Sequence, residues 1–292
     1  FELRHRYYII NGFSGKLTRE GLDKLIASGQ VEKVEFDRPV RILLDGSVPQ
    51  INANDVWNIT VNGTAINGSG ETVCVIDTGV DYTHPALGGC TNNTFLNGSC
   101  SKVIGGWDYG DDDNDPIDSN SHGTHVAGIV ASQNNTYRGV APGAKLVAVK
   151  VFPGSSDTAS TANVIAGIDW CRNNKTTYNI SVITLSLGDA LNHTTYCDDD
   201  TLATAVNNAA NAGIFVDVAS GNEARTNGVS SPACASNATS VGNVNTADSI
   251  STTSNSASFL DLLAPGTSIT STILSSSFGA KSGTSMAAPH VA

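Results

Sequence analysis

The sequence predicts an α/β domain built on a mostly parallel sheet with helices on both faces, preceded by a small α+β unit. Three observations predict it. From Glu71 onward, short continuous apolar runs alternate with stretches of helical spacing. Strands buried on both faces and joined by crossover helices read this way. Polar residues with chemical potential stand at strand or helix ends, at Asp77, at Asn222 and in the Ser285 segment, and such sheets gather their sites at the carboxyl ends of strands. Residues 1–44 read as a separate unit, ahead of an Asn-, Gly- and Ser-rich stretch at 45–70.

In chain order, Tyr7-Tyr8-Ile9-Ile10-Asn11-Gly12-Phe13 reads as a strand ending in a turn. Thr18 can cap a helix in which Leu22, Leu25 and Ile26 share a face, and Gly29 can end it. Val31 to Phe36 alternates like a half-buried strand. Such a short piece buries too little surface to stand alone. Residues 45–70 carry three Asn-x-Ser/Thr sequons and read as an exposed connection. Val73 to Ile76 is an apolar strand ending in Asp77, and Val126, Ile129 and Val130 mark a helix after His122. Leu146 to Phe152 is a strand, and Val164, Ile168 and Cys171 keep helical spacing. Val182 to Leu187 is a strand, Leu202, Ala205, Val206 and Ala209 a helix, and Ile214 to Ala219 a strand. Asp217 interrupts this last run without an evident partner, and an unpaired buried carboxylate is costly.

Composition narrows the function. The 292 residues are 40% apolar, enough for a sizeable core, yet hold no apolar run long enough to cross a membrane. A net charge of −11 argues against nucleic-acid binding, which needs a basic surface. The chain opens on Phe1 with no leader signature, so its start is expected to lie inside a longer precursor. Six cysteines permit several bridges, and Cys90 and Cys100 bracket a nine-residue polar loop that a bridge can close. Ten sequons occur, at Asn58, Asn62, Asn67, Asn92, Asn97, Asn134, Asn174, Asn179, Asn192 and Asn237, where composition alone gives about half as many. An exported, glycosylated protein is expected.

The chemistry sits in three segments. Asp77 ends a strand in Val-Ile-Asp-Thr-Gly, His122 opens a helix in His-Gly-Thr-His, and Ser285 lies in Ser-Gly-Thr-Ser-Met-Ala-Ala-Pro-His. A serine hydroxyl becomes a nucleophile when an imidazole takes its proton and a carboxylate orients that imidazole. Asn222, in Ala-Ser-Gly-Asn at a strand end, offers a side-chain donor for an oxyanion. Asp-Thr-Gly, His-Gly-Thr-His, Ser-Leu-Gly, Ser-Gly-Asn and Gly-Thr-Ser-Met-Ala-Ala-Pro-His occur in the order and approximate spacing of the subtilisin family, which the chain resembles over residues 45–292.

The resemblance implies a subtilisin-like serine endopeptidase acting on protein or peptide substrates, secreted or at the cell surface. It makes Asp77 the orienting carboxylate, His122 the general base and acid, Ser285 the nucleophile, and Asn222 with the Ser285 backbone N–H the oxyanion hole. Ser186, Leu187 and Gly188 would form one wall of the specificity pocket and Ala219, Ser220 and Gly221 the other, accepting large apolar side chains. Glu223 would lie near the rim. Residues 1–44 resemble the second half of the family's inhibitory propeptide, with self-cleavage near Leu44-Asp45. The chain would be C-terminally incomplete, since relatives continue past the helix that carries the nucleophile.

One familiar calcium ligand position is Ala86 here, so that site is expected to be absent. Asp108, Asp111, Asp113 and Asp115 precede His122 at a distance matching the calcium loop of thermitase-like relatives, and hard oxygen ligands at alternate positions suit calcium. Asp198-Asp199-Asp200 sits at a helix start, where it complements the dipole. His125 lacks a third ligand for zinc and reads as structural, and His290 reads as packed. Two other classes remain as alternatives: a non-catalytic binding protein on the same scaffold, and a nucleotide-binding α/β protein. The latter would need a phosphate-binding glycine motif that the sequence does not contain.

Overall fold

The structure, a computed structural model, describes residues 2–7, 12–32, 34 and 47–292. It divides into two units, Phe1–Leu43 and Leu44–Ala292.

In the first unit, β1 (Glu2–Tyr7) and β2 (Gly12–Lys16) pair antiparallel, and α1 (Arg19–Ala27) follows. The Thr18 side chain accepts from the Gly21 N–H at 3.1 Å, the cap its position predicts. Gly29 takes φ 64° just past the end of α1, in the left-handed region that glycine enters freely. The strand expected over Tyr7–Phe13 is corrected: Tyr7 ends one strand and Gly12 begins the next, with the residues between them outside the described set. Of the strand expected over Val31–Phe36, the described residues Val31, Glu32 and Val34 are not in strand conformation. The expected cleavage point at Leu44-Asp45 lies outside the described residues.

The second unit opens with more structure than its composition suggests. Two helical turns, α2 (Ser47–Gln50) and α3 (Ala53–Val56), bury Ser47, Val48 and Ala53, and a small hairpin joins β3 (Thr60–Val61) to β4 (Thr64–Ala65). The expected open connection is therefore anchored at its start, and most of the residues beyond it are exposed.

The main sheet begins at β5 (Thr72–Asp77), with α4 (Asn92–Leu96), β6 (Val103–Asp108), α5 (His122–Ala131) and β7 (Lys145–Lys150) after it. Then come α6 (Thr161–Asn173), α7 (Lys175–Tyr178), β8 (Ile180–Leu185), α8 (Thr201–Asn211), β9 (Phe215–Ala219), β10 (Thr239–Val244) and β11 (Leu262–Pro265). An antiparallel hairpin of β12 (Ile269–Ile273) and β13 (Ser277–Lys281) leads into α9 (Thr284–Ala287).

Seven strands pair in parallel in the order β11-β10-β9-β8-β5-β7-β6. Alternation along β5 distributes its side chains between two cores. Cys74 and Ile76 pack with α6 and α8 on one face, while Val73 and Val75 pack with α5 on the other. This is the predicted parallel sheet covered on both faces, and its apolar runs are continuous because neither face meets water. All six cysteines pair: Cys74–Cys171 ties β5 to α6, Cys90–Cys100 closes the predicted loop, and Cys197–Cys234 joins two loops. No helix among the described residues is long and apolar enough to cross a membrane.

Candidate active site

β5 delivers Asp77 at its carboxyl end, 1% exposed. Its Oδ1 accepts the Thr78 N–H at 2.7 Å and meets His122 Nδ1 at 2.7 Å. That pairing requires α5 to begin directly against the end of β5, and Gly123 permits it. A Cβ there would lie 2.1 Å from the Gly79 carbonyl oxygen and 3.0 Å from Asp77 Cβ.

The first turn of α5 is held by Asp118, a residue to which sequence reasoning gave no role. Its Oδ1 accepts the Thr78 hydroxyl at 3.0 Å and the N–H groups of Asn120 and Ser121 at 2.8 and 3.1 Å. Its Oδ2 accepts the Thr124 N–H at 2.9 Å and hydroxyl at 2.6 Å. The N-cap residue Ser121 makes no capping bond of its own, so Asp118 supplies the negative charge that a helix start favours. The same carboxylate grips Thr78, beside Asp77, and the turn that carries His122. The signal was present as an aspartate four residues before the helix-opening histidine.

Burial disfavours a charged His122, but the charge and hydrogen bond of Asp77 outweigh it. The imidazole therefore titrates above its ordinary value, with Asp118 adding to the rise and Lys281 opposing it. Lys281, also missed from sequence, stands at the end of β13 and donates to Ser121 Oγ at 3.0 Å.

Ser285 is the second residue of α9. Its Oγ donates to the Ser186 carbonyl at 3.1 Å, and Ser186 Oγ donates to the Ser285 carbonyl at 2.7 Å. Among the described residues no hydrogen bond joins Ser285 to His122. Unbound sites often hold such bonds open until substrate arrives. Asn222, just past β9, accepts the Thr284 N–H at 2.8 Å through Oδ1. This fixes the carboxamide and leaves Nδ2 as a donor. Gly283 precedes α9 at φ 147°, where a Cβ would crowd Asn222 Oδ1 at 3.2 Å.

His122, Ser186, Leu187 and Gly188 line one cavity of about 500 Å³, with Phe152, Val164 and Leu202 adding apolar surface. The other expected wall does not line it. Ala219 and Ser220 are buried, Ala219 packing against Ala287 and Ala288 and Ser220 donating to the Asn255 carbonyl at 2.9 Å. Gly221 donates to Thr284 Oγ1 at 3.2 Å. Glu223 is already engaged, by Asn255 Nδ2 at 2.6 Å and Arg225 at 3.6 Å, so it does not stand free at the rim.

Residues 68–292 match the family described as the subtilase family. The chain belongs to the subtilase family. It is 38% identical over 251 residues to the "Thermophilic serine proteinase" of Bacillus sp. (strain AK1), covering 84% of this chain and 55% of that protein. The chain thus spans about half the length of that relative. It is 34% identical over 297 residues to "Subtilisin E" of Bacillus subtilis, covering 100% of this chain and 71% of the other. Its fold is similar to that in "Crystal structure of a cold adapted subtilisin-like serine proteinase", with TM-score 0.65, 34% identity, and 80% and 78% of the two chains covered. The relatives it matches carry the names of a serine proteinase and a subtilisin.

Subtilases commonly bind structural calcium, but the four aspartates expected to hold it here do not fit that ion. Asp108 and Asp111 both face the Lys150 ammonium, at 2.6 Å for Asp108. Asp113 Oδ1 accepts the Asp115 N–H at 2.8 Å, and Asp115 accepts the Tyr82 hydroxyl and Asn92 Nδ2, each at 2.6 Å. The carboxylates diverge into separate networks, and the ammonium at the end of β7 serves as the cation of the first. Among the described residues, ligating atoms of three side chains converge only at His193, Cys197 and Cys234, whose two sulfurs are joined to each other.

The remaining histidine and aspartate readings fall into place structurally. His125 is fully buried, and Nε2 meets the carbonyls of Ile269 and Gly279 at 3.0 Å each, tying α5 to the β12–β13 hairpin. Burial lowers its pKa to about 4, so the ring is neutral at neutral pH and donates there. His290 is buried and bonds the Met286 carbonyl through Nδ1 at 2.8 Å. Asp200 caps α8, accepting from Leu202 and Ala203. Asp217 is fully buried, accepts the Thr184 hydroxyl at 2.7 Å, and is pushed well above the usual carboxylate range by burial.

Proposed function

We propose that residues 45–292 are the catalytic domain of an exported serine endopeptidase that cleaves peptide bonds through an acyl-enzyme. Ser285 is the nucleophile, His122 the general base and then the general acid, and Asp77 the group that holds the imidazole tautomer. Asn222 Nδ2 and the Ser285 N–H receive the oxyanion. The observation that carries this reading is the 2.7 Å contact between His122 Nδ1 and the buried Asp77 carboxylate. It leaves His122 Nε2 as the ring nitrogen free to accept a proton, and His122 lines the same cavity as Ser186, to which Ser285 is hydrogen-bonded. The apolar cavity wall at Phe152, Val164, Leu187 and Leu202 supports a preference for large apolar substrate side chains.

Residues 1–44 are its propeptide, a folding assistant and temporary inhibitor removed by self-cleavage. The match to subtilisin E, which runs over the whole chain, supports this. The paired cysteines and abundant sequons support an extracellular or cell-surface, glycosylated product. The test is hydrolysis of casein by the whole precursor with and without Ser285→Ala. The variant is expected to lose proteolysis by roughly 10⁴ to 10⁶ and to retain its propeptide. Undiminished self-cleavage in the variant would overturn the assignment.

A further inference from the structure

The β3–β4 hairpin exposes apolar side chains that a soluble domain normally covers. Val56, Ile59, Val61 and Ile66 are 36%, 51%, 56% and 42% exposed within eleven residues. The segment is anchored: Trp57 Nε1 donates to the Val140 carbonyl at 2.8 Å, and Arg138 stacks over the indole at 4.7 Å. These apolar groups are therefore held at the surface by the fold itself, where exposed apolar surface marks a place for a covering group.

The ten sequons differ in how their asparagines are used. Asn92, Asn174, Asn179, Asn192 and Asn237 each commit Nδ2, the atom that would be modified, as a hydrogen-bond donor. Asn67, Asn97 and Asn134 commit Oδ1 to turns. Among the described residues, Asn58 and Asn62 make no side-chain hydrogen bond, and both are exposed. Asn58 precedes the hairpin, and Asn62 with Gly63 forms its tip at φ 51° and 82°; Asn62, Thr60 and Thr64 are all exposed, the two threonines completing the two sequons.

We propose that Asn58 and Asn62 carry N-linked oligosaccharides whose function is to cover the apolar β3–β4 hairpin, an inference that rests on the reading of the protein as exported. In the transfer, Asn Nδ2 attacks the anomeric carbon of a lipid-phosphate-linked oligosaccharide. The new C–N bond forms as the C–O bond to phosphate breaks, the lipid phosphate leaves, and Nδ2 loses one proton. The sugar's hydroxyls meet water while its C–H faces lie on Ile59 and Val61. The patch thereby ceases to be a template for self-association.

The experiment uses the full precursor secreted from a eukaryotic host that N-glycosylates. Glycopeptide mass spectrometry is expected to find both Asn58 and Asn62 occupied. Enzymatic deglycosylation under native conditions is expected to raise binding of an apolar fluorescent dye and to produce concentration-dependent self-association. The paired substitution Ile59→Ser with Val61→Thr is expected to suppress both in the deglycosylated protein, and Asn58→Gln with Asn62→Gln to reproduce them without enzyme treatment. Cleavage of a short peptide substrate is expected to stay unchanged throughout. This separates the covering role from the protease reading, which would fail by absence of cleavage in every sample. Unmodified Asn58 and Asn62 would overturn the proposal, as would deglycosylated protein that stays monomeric and does not bind dye.

Discussion

Replacing Lys150 with methionine tests whether the acidic loop ahead of His122 runs on an internal cation. The Lys150 and Asp108 side chains are each 3% exposed, whereas Asp111 is 45% exposed. Burial alone would lower the lysine, but hydrogen bonds and charge from Asp108 and Asp111 outweigh it and hold the ammonium above its ordinary range. Removing it leaves Asp108 buried and unpaired, a change that costs about 3–5 kcal/mol. Asp108 keeps its bonds from the Gly110 and Asp111 N–H groups, which argues for the lower end, while the exposed Asp111 pair adds little. At about 2–4 °C per kcal/mol for a domain of this size, the melting temperature should fall by about 6–12 °C. The assay is thermal unfolding by circular dichroism in a Ser285→Ala background, which prevents autolysis. The Lys150 protein should melt at the same temperature in chelator and in calcium. The Lys150→Met protein should melt lower and recover in part with calcium, because its two carboxylates then lack a cation. Adding Asp108→Leu should restore stability without calcium. A chelator-induced loss in the Lys150 protein that Asp111→Asn abolishes would refute this reasoning, and so would a Lys150→Met protein of unchanged stability.

Other expectations follow from individual groups. Because Asp77 holds His122 above its ordinary value, the acid limb of kcat/KM should fall at a pH above about 6.5. Asp77→Asn should shift that limb downward while reducing kcat by roughly 10⁴, and a pH–rate profile reads both. Burial drives the Lys102 pKa down from 10.5 to about 8, its amine donating to the carbonyls of Pro142 and Ala144. Between these values the unfolded chain binds more protons than the native one, so stability should rise with pH across that window, by up to about 3 kcal/mol. Lys102→Met should flatten this rise in denaturant melts measured at successive pH values. Asp217 is shifted the opposite way. Its raised value means that its contribution is complete below the unfolded carboxylate range and is lost as pH climbs through the native one. Asp217→Asn, which keeps an acceptor for Thr184, should therefore raise the melting temperature at neutral pH and leave acid stability unchanged.

The parallel sheet was legible because its central strands are buried on both faces. Val73 to Ile76 and Ile214 to Ala219 stand out as apolar runs without any partner being known. The edge strand β11 was not legible, since Leu262 and Leu263 are half exposed and carry no alternation. Strand β6 was hidden by its two glycines. A Cβ at Gly106 would lie 1.9 Å from the Ala148 carbonyl, so packing against β7 excludes the side chains by which a strand is recognised. Around the candidate site, the residues proposed to act directly stand in short motifs, and the residues that hold them in place do not. Asp118 reaches Thr78 across forty positions of sequence, a contact that only the fold creates. The acidic loop makes the same point: the spacing of four aspartates said nothing of Lys150, which arrives from another strand and pairs with Asp108 and Asp111.

The most direct test of the central claim is covalent labelling of the full precursor, after self-processing, with a fluorophosphonate probe, followed by peptide mapping. The triad geometry predicts a single adduct on Ser285 Oγ, lost in His122→Ala and in Ser285→Ala proteins that remain folded. Folded, processed protein that takes no label, or that takes it on another serine with Ser285 unmodified, would contradict the assignment of Ser285 as the nucleophile.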